Sequence, residues 1–269
     1  MREVIDHLGR LVRLPTAPQR IVSLVPSQTE LLFDLGVGER VVGVTKFCLH
    51  PAAARRRATV IGGTKQFDFA KIAALAPDLI LGNKEENDQA GIEQLAANYP
   101  VWLSDIVTLA EADRMIADVG DLVNAAPAAS ALRAEITAGF AALARAQAHG
   151  PRVLYLIWRE PWMGAGAGTF IDEMLQAGGF KNVLGHRPRY PALPVAELAA
   201  LQPEVVLLSS EPYPFRARHL AEVAAVFPAA RIELVEGEPF SWYGSRLRHT
   251  PAYLTALGAR LAAAGAGSR

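Results

Sequence analysis

The sequence holds one cysteine, Cys48, in 269 residues, so no disulfide can form within the chain and the redox compartment stays open. It has no excess of either charge: 27 Lys and Arg balance 27 Asp and Glu. Without a basic block there is no electrostatic footprint for a phosphate backbone, which argues against nucleic acid as a partner. No apolar run approaches the roughly 18 residues that cross a bilayer, which argues against membrane insertion. The chain also has no Gly-x-Ser-x-Gly elbow and no His-Glu-x-x-His zinc motif. Gly164, Gly166 and Gly168 precede a helix start, where an anion is favoured, but their spacing is neither a dinucleotide fingerprint nor a Walker loop. Glu85-Glu86 and Asp172-Glu173 are adjacent pairs, which do not share a helix face as a catalytic dyad would. No catalytic residue and no metal ligand is assigned.

What is present is a large apolar fraction, 51%, in a chain long enough for two modest domains. The stretch from Thr108 to His149 is rich in Ala and Leu and reads as two helices, about Leu109 to Ala125 and Pro127 to about Ala148. Pro127 fits the first turn, where its missing N–H costs nothing. In the second helix Leu132, Ile136, Phe140 and Leu143 recur at helical spacing, with Arg133, Glu135 and Arg145 off the stripe. Such a helix spans roughly 30 Å and reads as a rigid spine between two lobes.

On either side the chain alternates strands and helices. Ile21–Val25 is a short apolar run of the buried parallel type, and Ser27 with Glu30 has capping-box spacing for the helix that follows. Arg13 to Pro18 reads as an extended lead-in. Asp68 and Thr169 read as helix caps, and Pro77 as a turn before the strand Leu79–Leu81. After Gly150-Pro151 the pattern starts again with Val153–Ile157. Helices Val195–Leu201 and Ala217–Phe227 alternate there with strands Val205–Leu208 and Ile232–Val235, and a last helix runs from Pro251 to about Ala263. Ile72–Leu81 and Leu198–Leu207 share one pattern of helix, proline turn and buried strand. The expected fold is α/β: two Rossmann-like βα lobes with parallel sheets, joined by one long helix, with the ligand in a cleft between the lobes. The expected division is residues 1–107, a helical spine at 108–149, and residues 150–269.

Open α/β sheets bind ligands beyond the carboxyl ends of their strands. The first lobe puts Lys46, Phe47, Thr64, Lys65, Asn83 and Lys84 in such loops. The second puts Trp158, Arg159, Trp162, Tyr190, Glu211, Tyr213, Phe240, Trp242, Tyr243 and Arg246 there, including three of the four tryptophans. Aromatic rings interleaved with a few charges suit a sizeable, partly apolar ligand, and the same rings would equally cover the ends of a sheet. Cys48 and His50 lie two residues apart, and an extended backbone would point both the same way. They read either as two soft metal ligands or as a buried thiol beside a loop-fixing histidine.

The stretch Arg20–Leu32, with Val41-Val-Gly-Val44 and Ala76-Pro-Asp-Leu-Ile-Leu81, resembles the helical-backbone (class III) substrate-binding proteins of ABC importers for vitamin B12, haem and iron–siderophores. The similarity is greatest to the cobalamin branch and runs from Asp6 to Leu261, including Trp158–Leu175 and Tyr190–Leu208. It implies a non-enzymatic receptor for a metal-bearing tetrapyrrole or chelate, with a corrinoid such as cobalamin, haem or a ferric chelate as ligand and no intrinsic cofactor. It also implies a cleft that changes little on binding, and importer membrane subunits as partners. The family's first-lobe cleft aromatic corresponds to Thr64 here and its second-lobe aromatic to Tyr190. Its docking glutamates fall near Ala70 and Ala196, with Glu197 one position away. The alternative function is a cytoplasmic metal- or cofactor-handling protein or enzyme using Cys48 and His50. Met1–His7 carries charge where a signal peptide has its apolar core. The expected location is the cytoplasm if Met1 is the native start, and the periplasm if a signal was removed.

Overall fold

The computed structural model describes residues 1–146 and 150–265. The chain divides into two compact units, Met1–Glu135 with Tyr243–Arg246, and Ile136–Trp242 with Leu247–Arg269.

The first unit begins with an antiparallel hairpin of β1 (Arg2–Ile5) and β2 (Leu11–Leu14), whose last two residues, Arg13 and Leu14, open the stretch Arg13–Pro18 expected as an extended lead-in. Asp6 makes the hairpin: its carboxylate accepts from the backbone of Leu8 and Arg10, both at 2.9 Å, and from Arg10 Nε at 2.8 Å. A five-stranded parallel sheet follows, built from β3 (Ile21–Ser23), β4 (Val41–Val44), β5 (Thr59–Val60), β6 (Leu79–Asn83) and β7 (Val101–Ser104), in the order β5-β4-β3-β6-β7. Val22, Leu24, Ile72, Ile80 and Leu103 share one buried cluster, as expected of strands covered on both faces. The hairpin lies along the outer edge of β7, where His7 N–H donates to Leu103 O at 3.1 Å and the His7 ring meets Trp102 edge-on at 5.0 Å.

Helices α1 (Pro26–Asp34), α2 (Ala52–Arg57), α3 (Phe69–Leu75) and α4 (Gln89–Ala96) connect the strands. The strand β3 stops earlier than its apolar run because Pro26 starts α1, with extended Val25 as the cap residue and no side-chain cap. The expected Ser27–Glu30 capping box is therefore absent, since Ser27 already lies inside the first turn. The caps read at Asp68 and Thr169 are formed, each accepting the backbone N–H three residues on, at 3.1 and 3.2 Å.

Helix α5 (Leu109–Leu122) opens on a capping box between Thr108 and Glu111 and ends three residues before the expected Ala125, where Asn124 turns left-handed at φ 57°. Helix α6 (Ala126–Ala146) starts with Pro127 in its first turn, and its expected end near Ala148 lies outside the described residues. Of its stripe, Leu132, Ile136 and Leu143 are buried, while Phe140 is only half-buried. Its residues up to Glu135 belong to the first unit, where Arg133 Nε donates to Asp113 Oδ1 at 2.8 Å.

The second unit has a parallel sheet of β8 (Arg152–Trp158), β10 (Lys181–Asn182), β11 (Val205–Ser209) and β12 (Arg231–Val235), in the order β10-β8-β11-β12, with β9 (Met163–Gly164) antiparallel on β8. Around it lie α7 (Phe170–Ala177), α8 (Val195–Ala200), α9 (Leu220–Val226), α10 (Glu238–Ser241) and α11 (Thr250–Gly265). A separate 3₁₀ turn, Ala217–His219, replaces the start expected for α9. Gly164 and Gly166 serve chain packing, whereas Gly168 supplies a left-handed turn at φ 70°: a Cβ at Gly166 would stand 2.2 Å from Arg187 O, and Ala167 exchanges backbone hydrogen bonds with Arg187 and Arg189. The matching stretches Ile72–Leu81 and Leu198–Leu207 fold alike: each follows its helix with a left-handed residue, Ala76 at φ 43° and Gln202 at φ 44°, before β6 and β11.

Candidate functional site

In the first unit the loops beyond the strands are fastened by buried amides. Asn83 accepts from the backbone of Glu85 and Glu86 at 2.8 and 3.1 Å and donates to Ser104 O and Oγ. Asn87 Oδ1 accepts Asn83 N at 2.8 Å, and its Nδ2 donates to Leu24 O and Thr64 O. Gln28 Nε2 completes the set by donating to Ser104 Oγ at 2.6 Å. With Asn83 and Asn87 both buried, these amides satisfy backbone groups that the loop would otherwise leave unpaired. Asn83 thus holds the loop in shape, and Lys65 does the same from outside by donating to Glu85 O at 2.7 Å. Lys84 reaches Asp105 at 2.6 Å. Thr64 is half-buried.

Phe47 is the open aromatic face of this unit, 49% exposed, with Lys46 Nζ 5.0 Å from its ring centre. The neighbouring Cys48 is fully buried, its Sγ 3.1 Å from Thr29 Oγ1 and 3.3 Å from Thr45 Oγ1, and burial pushes the thiol pKa up. The backbone from Lys46 to Leu49 is turned rather than extended, and His50 is only half-buried. The two side chains stand in different surroundings, which favours the buried-thiol reading. Among the described residues no three His, Cys, Asp or Glu side chains are grouped to hold a metal.

Tyr243 and Arg246 belong to the first unit. The Tyr243 hydroxyl donates to Glu86 Oε1 at 2.6 Å, and Arg246 grips Glu30 by two parallel bonds of 2.7 and 2.8 Å. The pairings of Glu30 with Arg246 and of Glu86 with Tyr243 escape a sequence reading because the partners lie more than 150 residues apart in the chain.

In the second unit the rings collect at the carboxyl ends of β8 and β11. Trp158, 39% exposed, meets Tyr213 edge-on at 5.6 Å, Tyr213 meets Phe215 at 4.8 Å, and Trp162 lies parallel to Phe215 at 6.3 Å. Arg159 is paired with Glu222 through Nε, at 2.9 and 3.0 Å, and that bond leads in raising its pKa. Tyr190 is half-buried beneath the guanidinium of Arg189, 5.6 Å away.

Other predicted residues face inward. Phe240 is fully buried, 4.9 Å from Tyr155, whose hydroxyl donates to Ser209 Oγ at 3.1 Å and whose pKa burial drives far up. Trp242 is 8% exposed, and its indole N–H donates to Glu211 Oε1 at 3.0 Å, the oxygen that also accepts from Ser241 Oγ at 2.6 Å. Glu211 therefore spends one carboxylate oxygen on holding Trp242. A tryptophan in a strand-end loop gives no sign in sequence of whether its N–H has such a partner. Glu197, beside the position of the expected docking acid, is paired with Arg187, while Ala70 is exposed next to the cap Asp68. A recess of about 430 Å³, lined by Arg152, Lys181, Asn182, Val183 and Glu204, opens at the opposite, amino-terminal end of this sheet.

A sequence profile of the family described as periplasmic binding protein matches residues 21–231. A vitamin B12-binding protein of Yersinia pseudotuberculosis is 27% identical over 219 residues, covering 77% of this chain and 76% of its own. A Yersinia pestis vitamin B12-binding protein is 28% identical over 210 residues, covering 74% and 72%. Among solved structures, the apo periplasmic haem-binding protein RhuT of Roseiflexus sp. RS-1 superimposes with a TM-score of 0.80 at 26% identity, over 91% of this chain and 99% of its own. The periplasmic vitamin B12-binding protein BtuF of Vibrio cholerae has the same fold, with a TM-score of 0.76 at 19% identity over 92% and 99%.

Proposed function

The chain belongs to the periplasmic binding protein family, in its helical-backbone class, and from that premise we propose that it is the receptor for one metal-bearing tetrapyrrole, a corrinoid such as cobalamin. The family's members are solute receptors of ABC importers and not enzymes, so binding and release, without turnover, are the chemistry to account for. The observation that carries the choice of ligand class is the exposure of flat aromatic faces beyond the strand ends: Trp158 against Tyr213 in one unit, Phe47 beside Lys46 in the other. An exposed indole or phenyl face gives a large apolar ligand contact area at little entropic cost, and the nearby cations orient polar substituents.

In this reading Trp158, Trp162, Tyr190 and Tyr213 supply the aromatic surface of the second unit, and Phe47, Lys46 and Thr64 that of the first. Asn83, Lys65, Glu211, Trp242 and Phe240 hold those surfaces in place. Delivery to importer membrane subunits and work outside the cytoplasm belong to the same proposal and rest on the relatives. Haem is the second ligand, favoured by the likeness to a haem-binding structure.

The test is a panel of cyanocobalamin, haemin and a ferric chelate, followed by tryptophan fluorescence and calorimetry. One-to-one binding of cyanocobalamin supports the reading, and haemin alone would move it to the second ligand. Binding should survive Cys48→Ser. Turnover of any probe, lost in that variant alone, would sink the receptor reading in favour of a Cys48-dependent enzyme.

A further inference from the structure

His219 closes the short 3₁₀ turn before α9 and backs the ring cluster at the carboxyl end of the second sheet. Its ring centre lies 5.5 Å from Tyr213 and 5.6 Å from Phe215, and Tyr213 in turn abuts Trp158. The residue is buried, at 5% exposure. Both ring nitrogens face donors: the backbone N–H of Arg216 points at Nδ1 from 2.9 Å, and Arg218 Nε stands 3.1 Å from Nε2, with the Tyr213 hydroxyl 3.4 Å from the same nitrogen. Neither an amide N–H nor a guanidinium N–H can act as an acceptor. A neutral imidazole satisfies one of these two donors, while an imidazolium satisfies neither and turns a proton against each.

We propose that His219 is a positioning residue for the Trp158–Tyr213–Phe215 cluster, and that it holds the cluster only while its ring is neutral. The charges around it agree. Arg216 and Arg218 on its own segment and Arg159 from the end of β8 are all cationic, and the facing acid, Glu222 on α9, already takes Arg159 Nε on both oxygens. Burial first, and then Arg218, keep the imidazole pKa below its ordinary value. Protonation removes the acceptor for Arg216 N, which ties the Tyr213–Phe215 run to the 3₁₀ turn, and so loosens the ring on which Trp158 rests. Taken with the receptor reading, on which this consequence rests, acid weakens ligand binding at the Trp158 surface.

The ligand-free chain is followed by near-UV circular dichroism and tryptophan fluorescence from about pH 8 to about pH 5, as wild type, His219→Asn and Trp158→Phe. Asn places an amide oxygen where Nδ1 stands, so it accepts from Arg216 but takes no proton. The wild type should show a single-proton transition centred below about 6.5. His219→Asn should lack it, and Trp158→Phe should lose its fluorescence component. The same transition in His219→Asn, or none in the wild type, overturns the proposal. Nitrogen-15 spectra of labelled histidine in the wild type read the same point without a variant: an unprotonated Nδ1 at His219 near pH 8 is expected, and a protonated one overturns it. Cyanocobalamin and haemin affinities at the two ends of the range separate this inference from the receptor reading. Binding about tenfold weaker in acid in the wild type but not in His219→Asn supports both. Failure of both probes to bind near pH 8, with the ligand-free transition intact, removes the proposed ligands and leaves the role of His219 standing.

Discussion

Asp78 and Glu204 hold equivalent places in two separate sheets. Each carboxylate accepts the backbone N–H of the arginine that leads into the neighbouring inner strand, Arg20 at 2.8 Å before β3 and Arg152 at 2.7 Å at the start of β8. Each arginine returns a side-chain N–H to the carbonyl that ends the preceding helix, Leu75 at 2.7 Å and Leu201 at 2.9 Å. A hydrogen bond to a charged acceptor contributes about 1.5–3 kcal/mol, at the lower end where water competes. Asp78→Ala and Glu204→Ala should therefore each cost about 1–2 kcal/mol in urea unfolding, with Asn and Gln in their places costing less. A loss at only one of the two positions would contradict their equivalence.

The stripe of α6 should show graded losses. Leu132→Ala, at a buried site, should cost about 2–4 kcal/mol, and Phe140→Ala, at a half-buried one, about 1–2 kcal/mol. Chemical denaturation of the two variants checks the order, and a larger loss at Phe140 than at Leu132 would contradict it.

Cys48 should be inert in the folded chain. Its thiol is buried and its pKa raised, first by burial, against the lowering effect of hydrogen bonds to Thr29 and Thr45. An aromatic disulfide reagent should label it only after unfolding. The folded state then binds a proton that the unfolded state gives up near pH 8.5, so this group's stabilising contribution is whole below about pH 8.5 and is lost as pH rises toward the folded value. Unfolding free energies at pH 8 and pH 10 should fall more for the wild type than for Cys48→Ser.

The capping box on α5 gives a prediction in acid. Thr108→Ala should cost about 1 kcal/mol. Burial raises the Glu111 pKa, but bonds from the Val107 and Thr108 backbones and from Thr108 Oγ1 outweigh it and hold the pKa below the usual value. Its contribution is present above about pH 4.3 and fades as pH falls through the lower, folded value. Glu111→Gln should flatten that part of the acid unfolding curve.

Strand and helix order was legible in the sequence because short apolar runs, proline turns and cap residues act locally. Asp68 and Thr169 each satisfy an N–H three residues away, and the Ala-Pro-Asp and Gln-Pro-Glu turns carry their own geometry. Ser27 misled because its spacing to Glu30 was right while Pro26, one residue earlier, had already set the helix start. The sequence places candidate residues in strand-end loops but carries neither their roles nor, for Tyr243 and Arg246, the unit they join. Whether Trp242 offers its face or is pinned by its N–H depends on Glu211, and the setting of Tyr243 depends on Glu86, 157 residues away. The β1–β2 hairpin went unread because four-residue strands with charged positions carry little apolar pattern, and the carboxylate that folds the turn, Asp6, also looks like any surface acid.

That hairpin has a consequence for solubility. Strand β7 ends its sheet, and an uncovered terminal strand is a template for pairing with another molecule. Here Leu103 gives its carbonyl to His7 N and its N–H to Asp6 Oδ2, Val101 O accepts from Arg10 Nη2, and the buried Trp102 lies edge-on to the His7 ring. Removing residues 1–14 would bare a Val-Trp-Leu edge while the remaining strands keep their own ladders. Such a truncated chain should stay folded when dilute and associate as its concentration rises, and Asp6→Ala should move the untruncated chain in the same direction.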